Sequence, residues 1–568
     1  MAERNDSVMR HSPFGYTQAP FSHPAWQIGP GLTIACGLIA LTVTGVAALL
    51  WQAHLPEVSE LWRNRYLNNV IRFTVWQATV STALSLLLGL FIALALVRQP
   101  RFPGRRLLLR VMELSLVLPT IVAVSGLVAV YGRHGWLTAI VEQWTTVRWN
   151  LYGLNGIVLA HVFFNAPLAG RILLQALESV PAPRRRIASQ LGLKGRWLWR
   201  TLDWPAVRRV LPGVAALVFT LCFTSFAIVM TLGGGPASTT LEVAIYQSLR
   251  FEFDFGRAAL LAVVQLLICG ALWFLMVRRS LSANLSPARE FPESIPRPDS
   301  QGVRRLQDVA LLLCFSLFLL LPLAAVLFRG LPGLATVAIN GGQPLNEMTE
   351  ATLRSFAIAL PAGAFSVFSG LLVLSMSSRG GGHLSRLSSV ATAVPLMVPP
   401  IVLGTALFLL LRPSLGNSYD GLALVALING VMALPFVTQL MRGPLNNLDK
   451  STVRQADQLG LRGWYRWRWL HWPRLKRPLA LAMAYGTGLS LGDFGVIALF
   501  GTPGQPTIPV LLYQQLGSYR MDLAAGTALW LVCLLLLVFA AFSLPGYRRN
   551  HRNLAGNVFK ALAEGRHA

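Results

Sequence analysis

Long uninterrupted apolar runs alternate with short polar, arginine-rich stretches along the whole chain. The run from Gly31 to Trp51 holds 21 residues without a charge. As a helix rising about 1.5 Å per residue it covers about 30 Å, the thickness of a bilayer's hydrocarbon core. Eleven comparable runs follow. The pattern predicts twelve membrane-spanning helices, at 31–51, 73–97, 111–131, 151–170, 210–231, 258–277, 309–328, 355–376, 389–411, 421–441, 478–500 and 523–544. Prolines at 119, 167, 395, 399, 400 and 435 fall inside them. There, neighbouring helices or a polar path must take up the freed backbone groups.

Composition agrees. Hydrophobic residues make up 54% and charged residues 13%, against about 25% charged in soluble domains. The net charge of +26 alone would point to nucleic acid, but the basic residues lie in blocks between the apolar runs. With the N-terminus placed inside, most of the 49 Lys and Arg fall on that side, and the outside loops are slightly acidic. That bias marks the inside as cytoplasm, with both termini there. The basic blocks read as topology and attraction to anionic lipid, with no nucleic-acid partner. The segment before the first span carries Arg4, Arg10 and four prolines. It lacks a small-residue cleavage site after a short apolar core, so the first span reads as uncleaved. Cys36, Cys222, Cys269, Cys314 and Cys533 sit inside apolar runs without CxxC spacing. They read as small hydrophobes, neither a disulfide framework nor a metal site.

The chain repeats itself. Residues 186–205, RIASQLGLKGRWLWRTLDWP, and 454–473, RQADQLGLRGWYRWRWLHWP, are identical at twelve of twenty positions with an offset of 268. LVLPTIV at 116–122 matches LMVPPIV at 396–402, Tyr246-Gln247 matches Tyr513-Gln514, and Ser225-Phe226 matches Asp493-Phe494. Six spans separate equivalent points, so the two halves are parallel repeats about an axis along the membrane normal. The chain divides into a cytoplasmic segment 1–30, a first half 31–277, a Ser-, Pro- and Arg-rich linker 278–305, a second half 306–545 and a tail 546–568.

Both copies of the twenty-residue segment fall in long cytoplasmic loops. Gly192 and Gly460 allow a break into two short helices, and Pro205 and Pro473 are expected to begin the next rise into the membrane. Two basic aromatic helix–turn–helix devices suit docking of a cytoplasmic partner. They also suit an amphipathic pair lying on anionic headgroups. No GxxxxGK[ST] occurs, so the phosphate cradle of a P-loop ATPase is missing from this sequence. Loops 232–256 and 501–522 occupy equivalent outside places and are either docking faces or plain connections. Ionisable groups within spans are functional hypotheses by default. Asp493 lies in the outer half of span eleven, where it faces a substrate or bonds to neighbouring helices. His161 and Asn165, one turn apart in span four, line a polar path or join helices. Glu113 is expected to pair with Arg110. Trp76 and Trp273 can stack on a ring or simply pack. No catalytic residue, cofactor or metal site emerges.

The repeated segments resemble the EAA loop of permease subunits of binding-protein-dependent ABC importers. The Ala positions are Ala188 and Ala456, the Gly positions Gly192 and Gly460, and the ends Leu202-x-Trp204-Pro205 and Leu470-x-Trp472-Pro473. In that family the loop forms the coupling helix that enters a groove on the ATPase. Arg186 and Arg454 stand where the family has Glu, and Ile187 and Gln455 depart from its first Ala. VYGRHGWL (130–137), YGLNGIVLAHVFFNAPLAGRILLQALE (152–178), LGGGPASTTLEVAIYQSLRFEFD (232–254), LSLGDFGVIALFG (489–501) and LYQQLGSYR (512–520) are similar to fused permeases of bacterial thiamine importers.

The resemblance implies an all-α inner-membrane protein with the type I importer permease fold, its two transmembrane domains at about 68–276 and about 348–544. It implies thiamine and its phosphates as substrates, a periplasmic thiamine-binding protein and a dimer of cytoplasmic ATPase subunits as partners. A cationic thiazolium would be attracted by Asp493. An iron(III) importer permease of the same fused design and an ion-driven secondary transporter are the alternatives. The paired loops and the scarcity of intramembrane acids weigh against the second.

Overall fold

A computed structural model describes the protein at residues 29–52, 64–144, 150–279, 297, 302–379, 382–415, 421–446, 458–459, 465, 467–501 and 504–564. Among these residues there is no strand. The first half contains α1 (Gly29–Gln52), α2 (Arg65–Arg98), α3 (Arg105–Val117), α4 (Thr120–Tyr131), α5 (Trp136–Glu142), α6 (Leu154–Glu178), α7 (Ala182–Gln190), α8 (Trp204–Phe223), α9 (Phe226–Leu232), α10 (Leu241–Gln247) and α11 (Phe255–Arg279). The second contains α12 (Val303–Asn340), α13 (Gly342–Arg379), α14 (Gly382–Met397), α15 (Pro400–Leu415), α16 (Leu422–Asn446), α17 (Trp472–Leu491), α18 (Gly495–Phe500), α19 (Ile508–Gly517) and α20 (Met521–Glu564). Every predicted span has its helix or pair of helices. Nine helices among the described residues are individually long and apolar enough to cross a bilayer.

Four of the predicted spans are broken, as two equivalent pairs. Span three splits into α3 and α4, and the path from Arg105–Ser115 to Thr120–Glu142 bends by 118° at the break. Leu118 is extended (φ −65°, ψ 129°) because a residue before proline avoids helical geometry, and Pro119 then starts the next helix. Span nine splits at Val398–Pro399 between α14 and α15, the same place in the repeat. Span five breaks at Thr224–Ser225 between α8 and α9, and span eleven at Gly492–Phe494 between α17 and α18. The matching sequence pairs of the repeat are thus the breaks themselves.

The core runs through both halves. In each, α2 or α13 packs along α6 or α16, with α8 or α17 alongside. The first helix of each half leans onto the other half: α1 lies against α13, α14 and α15, and α12 lies against α4 and α2. Arg98 on α2 fixes that crossing with a bidentate ion pair to buried Asp308 on α12, at 2.6 and 2.9 Å. Cys222 and Cys269 are buried and free, as small hydrophobes would be.

Candidate functional site

The first copy of the repeated segment is fully described. α7 carries Arg186 and ends in a Schellman motif: Leu193 N–H donates to Ala188 C=O (3.0 Å) and Gly192 N–H to Ser189 C=O (3.1 Å). Gly192 has φ +64°, the left-handed region, which glycine enters without strain. Ala188 is buried beneath the turn. The second part differs from the expectation. The rise does not begin at Pro205: one helix runs from Arg196 to Phe223, widened over Trp199–Asp203 into a π turn. Pro205 has no N–H to bond four residues back and its ring crowds that carbonyl, and the wide turn absorbs both. Trp467–His471 forms the same π turn ahead of Pro473. Arg454, Ala456 and Gly460 lie outside the described residues.

Both loops expose apolar side chains at matching places. Leu191 is 69% exposed and its counterpart Leu459 76%; Trp197 is 64% and Tyr465 67%. The first loop has a tether of its own. Asp203 accepts two bonds from Arg297, at 2.7 and 3.3 Å. Arg297 belongs to the stretch predicted as linker. Burial pushes the pKa of neighbouring Arg185 down, and Arg297 adds to that effect.

The second region lies where the halves meet. Phe226, first residue of α9, stacks on Phe494 at 5.6 Å, with 23° between the rings. Tyr246 stands edge-on to Phe226 at 5.2 Å, and Tyr513 tilts against Phe494 at 5.0 Å. A Cβ added at Gly492 would lie 3.0 Å from the Pro119 ring, so the break in span eleven abuts the break in span three. The Asp493 carboxyl faces the Asn429 amide and the N–H groups of Gly495, Val496 and Ile497 that open α18. Its Oδ2 is enclosed without a hydrogen-bond partner. Glu242 on α10 is a second buried carboxyl, in the first half, at a place not equivalent to Asp493. It accepts from Gln265 Nε2 at 3.1 Å and faces the Phe226 N–H.

His161 and Asn165 are both buried within the first half. His161 Nδ1 lies 3.0 Å from the Ser81 hydroxyl on α2, and Asn165 Nδ2 donates to the Cys222 sulfur at 3.3 Å. Glu113 pairs with Arg171, not Arg110, because α3 packs on α6 and brings that guanidinium across. Trp76 is 60% exposed on α2 and stacks on no ring among the described residues. The side chain of Trp273 lies outside the described residues.

The chain is similar to known transport proteins over nearly its whole length. A family model, the binding-protein-dependent transport system inner membrane component, matches residues 362–549. The thiamine transport system permease protein ThiP of Salmonella typhimurium is 42% identical over 530 residues, covering 92% of this chain and 96% of that protein. ThiP of Escherichia coli is 39% identical over 532 residues, covering 92% and 97%. The chain belongs to the ThiP family of permeases. The sulfate transport system permease protein CysW of Synechococcus elongatus is 26% identical over 249 residues, 43% of this chain and 86% of its own length.

Like other ThiP-family permeases it is a multi-pass inner-membrane protein of the type I permease fold. The loops predicted to lie outside hold features that the sequence reading missed. Residues 232–256 and 501–522 are not open connections: each folds a short helix back against the bundle. Leu241 N–H, at the start of α10, donates to the Thr74 hydroxyl at 3.0 Å, and Ile508 N–H, at the start of α19, donates to the Ser355 hydroxyl at 3.0 Å. Thr74 and Ser355 occupy equivalent places on α2 and α13, a signal hidden by the Thr/Ser exchange. At the outer tips Phe253 (φ 54°) and Tyr519 (φ 59°) are exposed aromatics in the left-handed region. Side chains pay for that conformation, so such residues gather where a surface is used.

Proposed function

We propose that this chain is the permease subunit of an ABC importer that carries thiamine and its phosphate esters into the cytoplasm. The observation that carries this reading is the 42% identity to a thiamine permease across both halves. Substrate arrives on a periplasmic binding protein, and ATP is hydrolysed on a dimer of separate cytoplasmic subunits. Both termini are cytoplasmic, as the distribution of basic residues argues. The type I transmembrane domains occupy about 68–276 and about 348–544, joined by the linker 278–305.

The coupling loops are the contacts to the ATPase pair. Arg186, Ala188, Gly192 and Pro205 shape one, and Arg454, Ala456, Gly460 and Pro473 the other. The exposed Leu191, Trp197, Leu459 and Tyr465 support this role, since a partner surface is the economical use of paired apolar projections. The binding protein docks over the outer tips around Phe253 and Tyr519. When the ATPase dimer closes, each loop passes the movement into a span through its π turn, and the halves rock apart on the outer side. Asp493 borders the path that opens; His161 and Asn165 hold α2, α6 and α8 together within the first half.

The test is uptake of labelled thiamine, at a concentration too low for passive entry, into cells with this chain deleted and then restored. The expected result is uptake that needs both the chain and an ATPase with an intact phosphate loop. Unchanged thiamine uptake with lost iron uptake would move the substrate to an iron(III) importer. Uptake that survives without the ATPase and collapses with the proton gradient would overturn the coupling role.

A further inference from the structure

Four aromatic rings and one buried carboxylate, with one of its two oxygens unpartnered, meet at the seam between the halves. Phe226 and Phe494 stack face to face, and Tyr246 and Tyr513 close the two ends of the row. Each ring occupies the same place in its own half. Asp493 immediately precedes Phe494. A Cβ built on Gly495 would lie 3.5 Å from Phe226 Cδ1 and 4.0 Å from Asp493 Oδ1. The carboxylate and the Phe226 ring therefore border the same small space, and the residue between them carries no side chain. Asp493 Oδ2 is enclosed and has no hydrogen-bond partner. No ion pair among the described residues includes Asp493.

An enclosed carboxylate oxygen with no partner is costly, and the cost falls when a cation comes to it. Aromatic faces attract cations too, above all weakly hydrated organic ones. A hard metal ion would need several oxygen donors, and a single carboxylate among hydrocarbon rings does not supply them. The row of rings favours a flat ligand. The fold does not require this acid, because the equivalent residue in the first half is Ser225. The first half has a buried carboxylate of its own, Glu242, which faces the Phe226 N–H and accepts from Gln265, so it holds the start of the helix that carries the ring.

We propose that the seam is the recognition site for a flat organic cation: as the halves part, the thiazolium ring enters between Phe226 and Phe494, and Asp493 holds its charge. This rests on the thiamine reading above and adds the residues that would read the substrate. The phosphates of thiamine esters would lie away from Asp493, and the ring is the part common to all of them.

The test uses the full chain assembled with its ATPase and binding protein in proteoliposomes, with labelled thiamine as probe. Asp493→Asn keeps the shape and removes the charge. It is expected to cut the initial uptake rate about tenfold or more, the effect of roughly one lost charge contact, and Asp493→Glu should recover most of it. Phe494→Leu keeps bulk and removes the π face, and should cut the rate several-fold. Recovery of the ATPase with the purified variant checks assembly; if Asp493→Asn does not assemble, Phe494→Leu decides. Rates within about twofold of the unaltered chain for the assembled variants would overturn the seam and leave the thiamine reading standing. An unaltered complex that imports no thiamine would overturn that reading and the seam with it.

Discussion

In the first half the break in the fifth span carries Ser225; in the second half the equivalent residue is Asp493. The first π turn ends in Asp203, clasped by Arg297, whereas the second ends in His471, stacked on Trp467 at 5.9 Å. Around these differences the backbones agree. Both halves break before the same proline, widen ahead of Pro205 and Pro473, and anchor the start of an outer helix on a hydroxyl of their second span. Breaks, wide turns and hydroxyl anchors come in pairs, so the repeated fold needs them. Asp493 and the Asp203–Arg297 clasp occur once. The fold therefore does not require them, and their reasons lie in what each half does.

The largest effect should come from the paired apolar projections. Changing Leu191 and Leu459 together to Asp puts charge into both docking faces. Recovery of the ATPase with the purified chain should fall about tenfold or more. Either single change should do less, and equal losses from both would make the loops equivalent. A smaller effect should separate them. Asp203→Ala removes both bonds that the nearly buried Arg297 guanidinium makes to that carboxylate and should destabilise the chain by about 3 kcal/mol in thermal unfolding. His471→Ala removes the stacking on Trp467 and should cost less, about 1 kcal/mol.

Legibility in the sequence follows the same division. The long apolar helices and the parallel repeat were legible in hydropathy and in matched short motifs; that four of the runs break was not. Hydrophobic length acts locally, so it leaves a local record. Long-range pairing leaves none. Nothing near Glu113 points to Arg171 in preference to Arg110, three residues away. Nothing near Thr74 points to Leu241, because that contact depends on how α10 folds back. The rise expected at Pro205 began earlier, at Arg196, since a π turn can carry a proline inside a continuous helix. His161 and Asn165 share a helix face, as their spacing requires, but which helices that face meets is decided by packing.

The outer acid gives a pH test of the comparison. Burial pushes the Glu242 carboxyl up from 4.5 to about 7, while the Gln265 amide and the Phe226 N–H hold it down. The folded state therefore keeps a proton that the unfolded chain releases between those values. Stability should fall as pH rises from 4.5 to about 7, by on the order of 3 kcal/mol. Glu242→Gln should flatten that slope in thermal unfolding, and an unchanged slope would assign it to other groups. The residue at the matching place in the second half is Pro509, which has no carboxyl.

The smallest effects should be equal. Thr74→Val and Ser355→Ala each remove one buried acceptor for a helix-opening N–H, and each should cost about 1 kcal/mol in thermal unfolding. A clear inequality would mean that α10 and α19 are held differently despite their matching bonds.

The central claim is that the two halves part at the outer seam when ATP closes the partner subunits. The direct measurement is the distance between spin labels at Phe251→Cys and Ser518→Cys, both exposed at the outer tips of opposite halves. It would be made on the assembled complex, in a chain freed of its five native cysteines. The account predicts a longer distance with ATP bound than without it. An unchanged distance in a complex that still imports thiamine would contradict it.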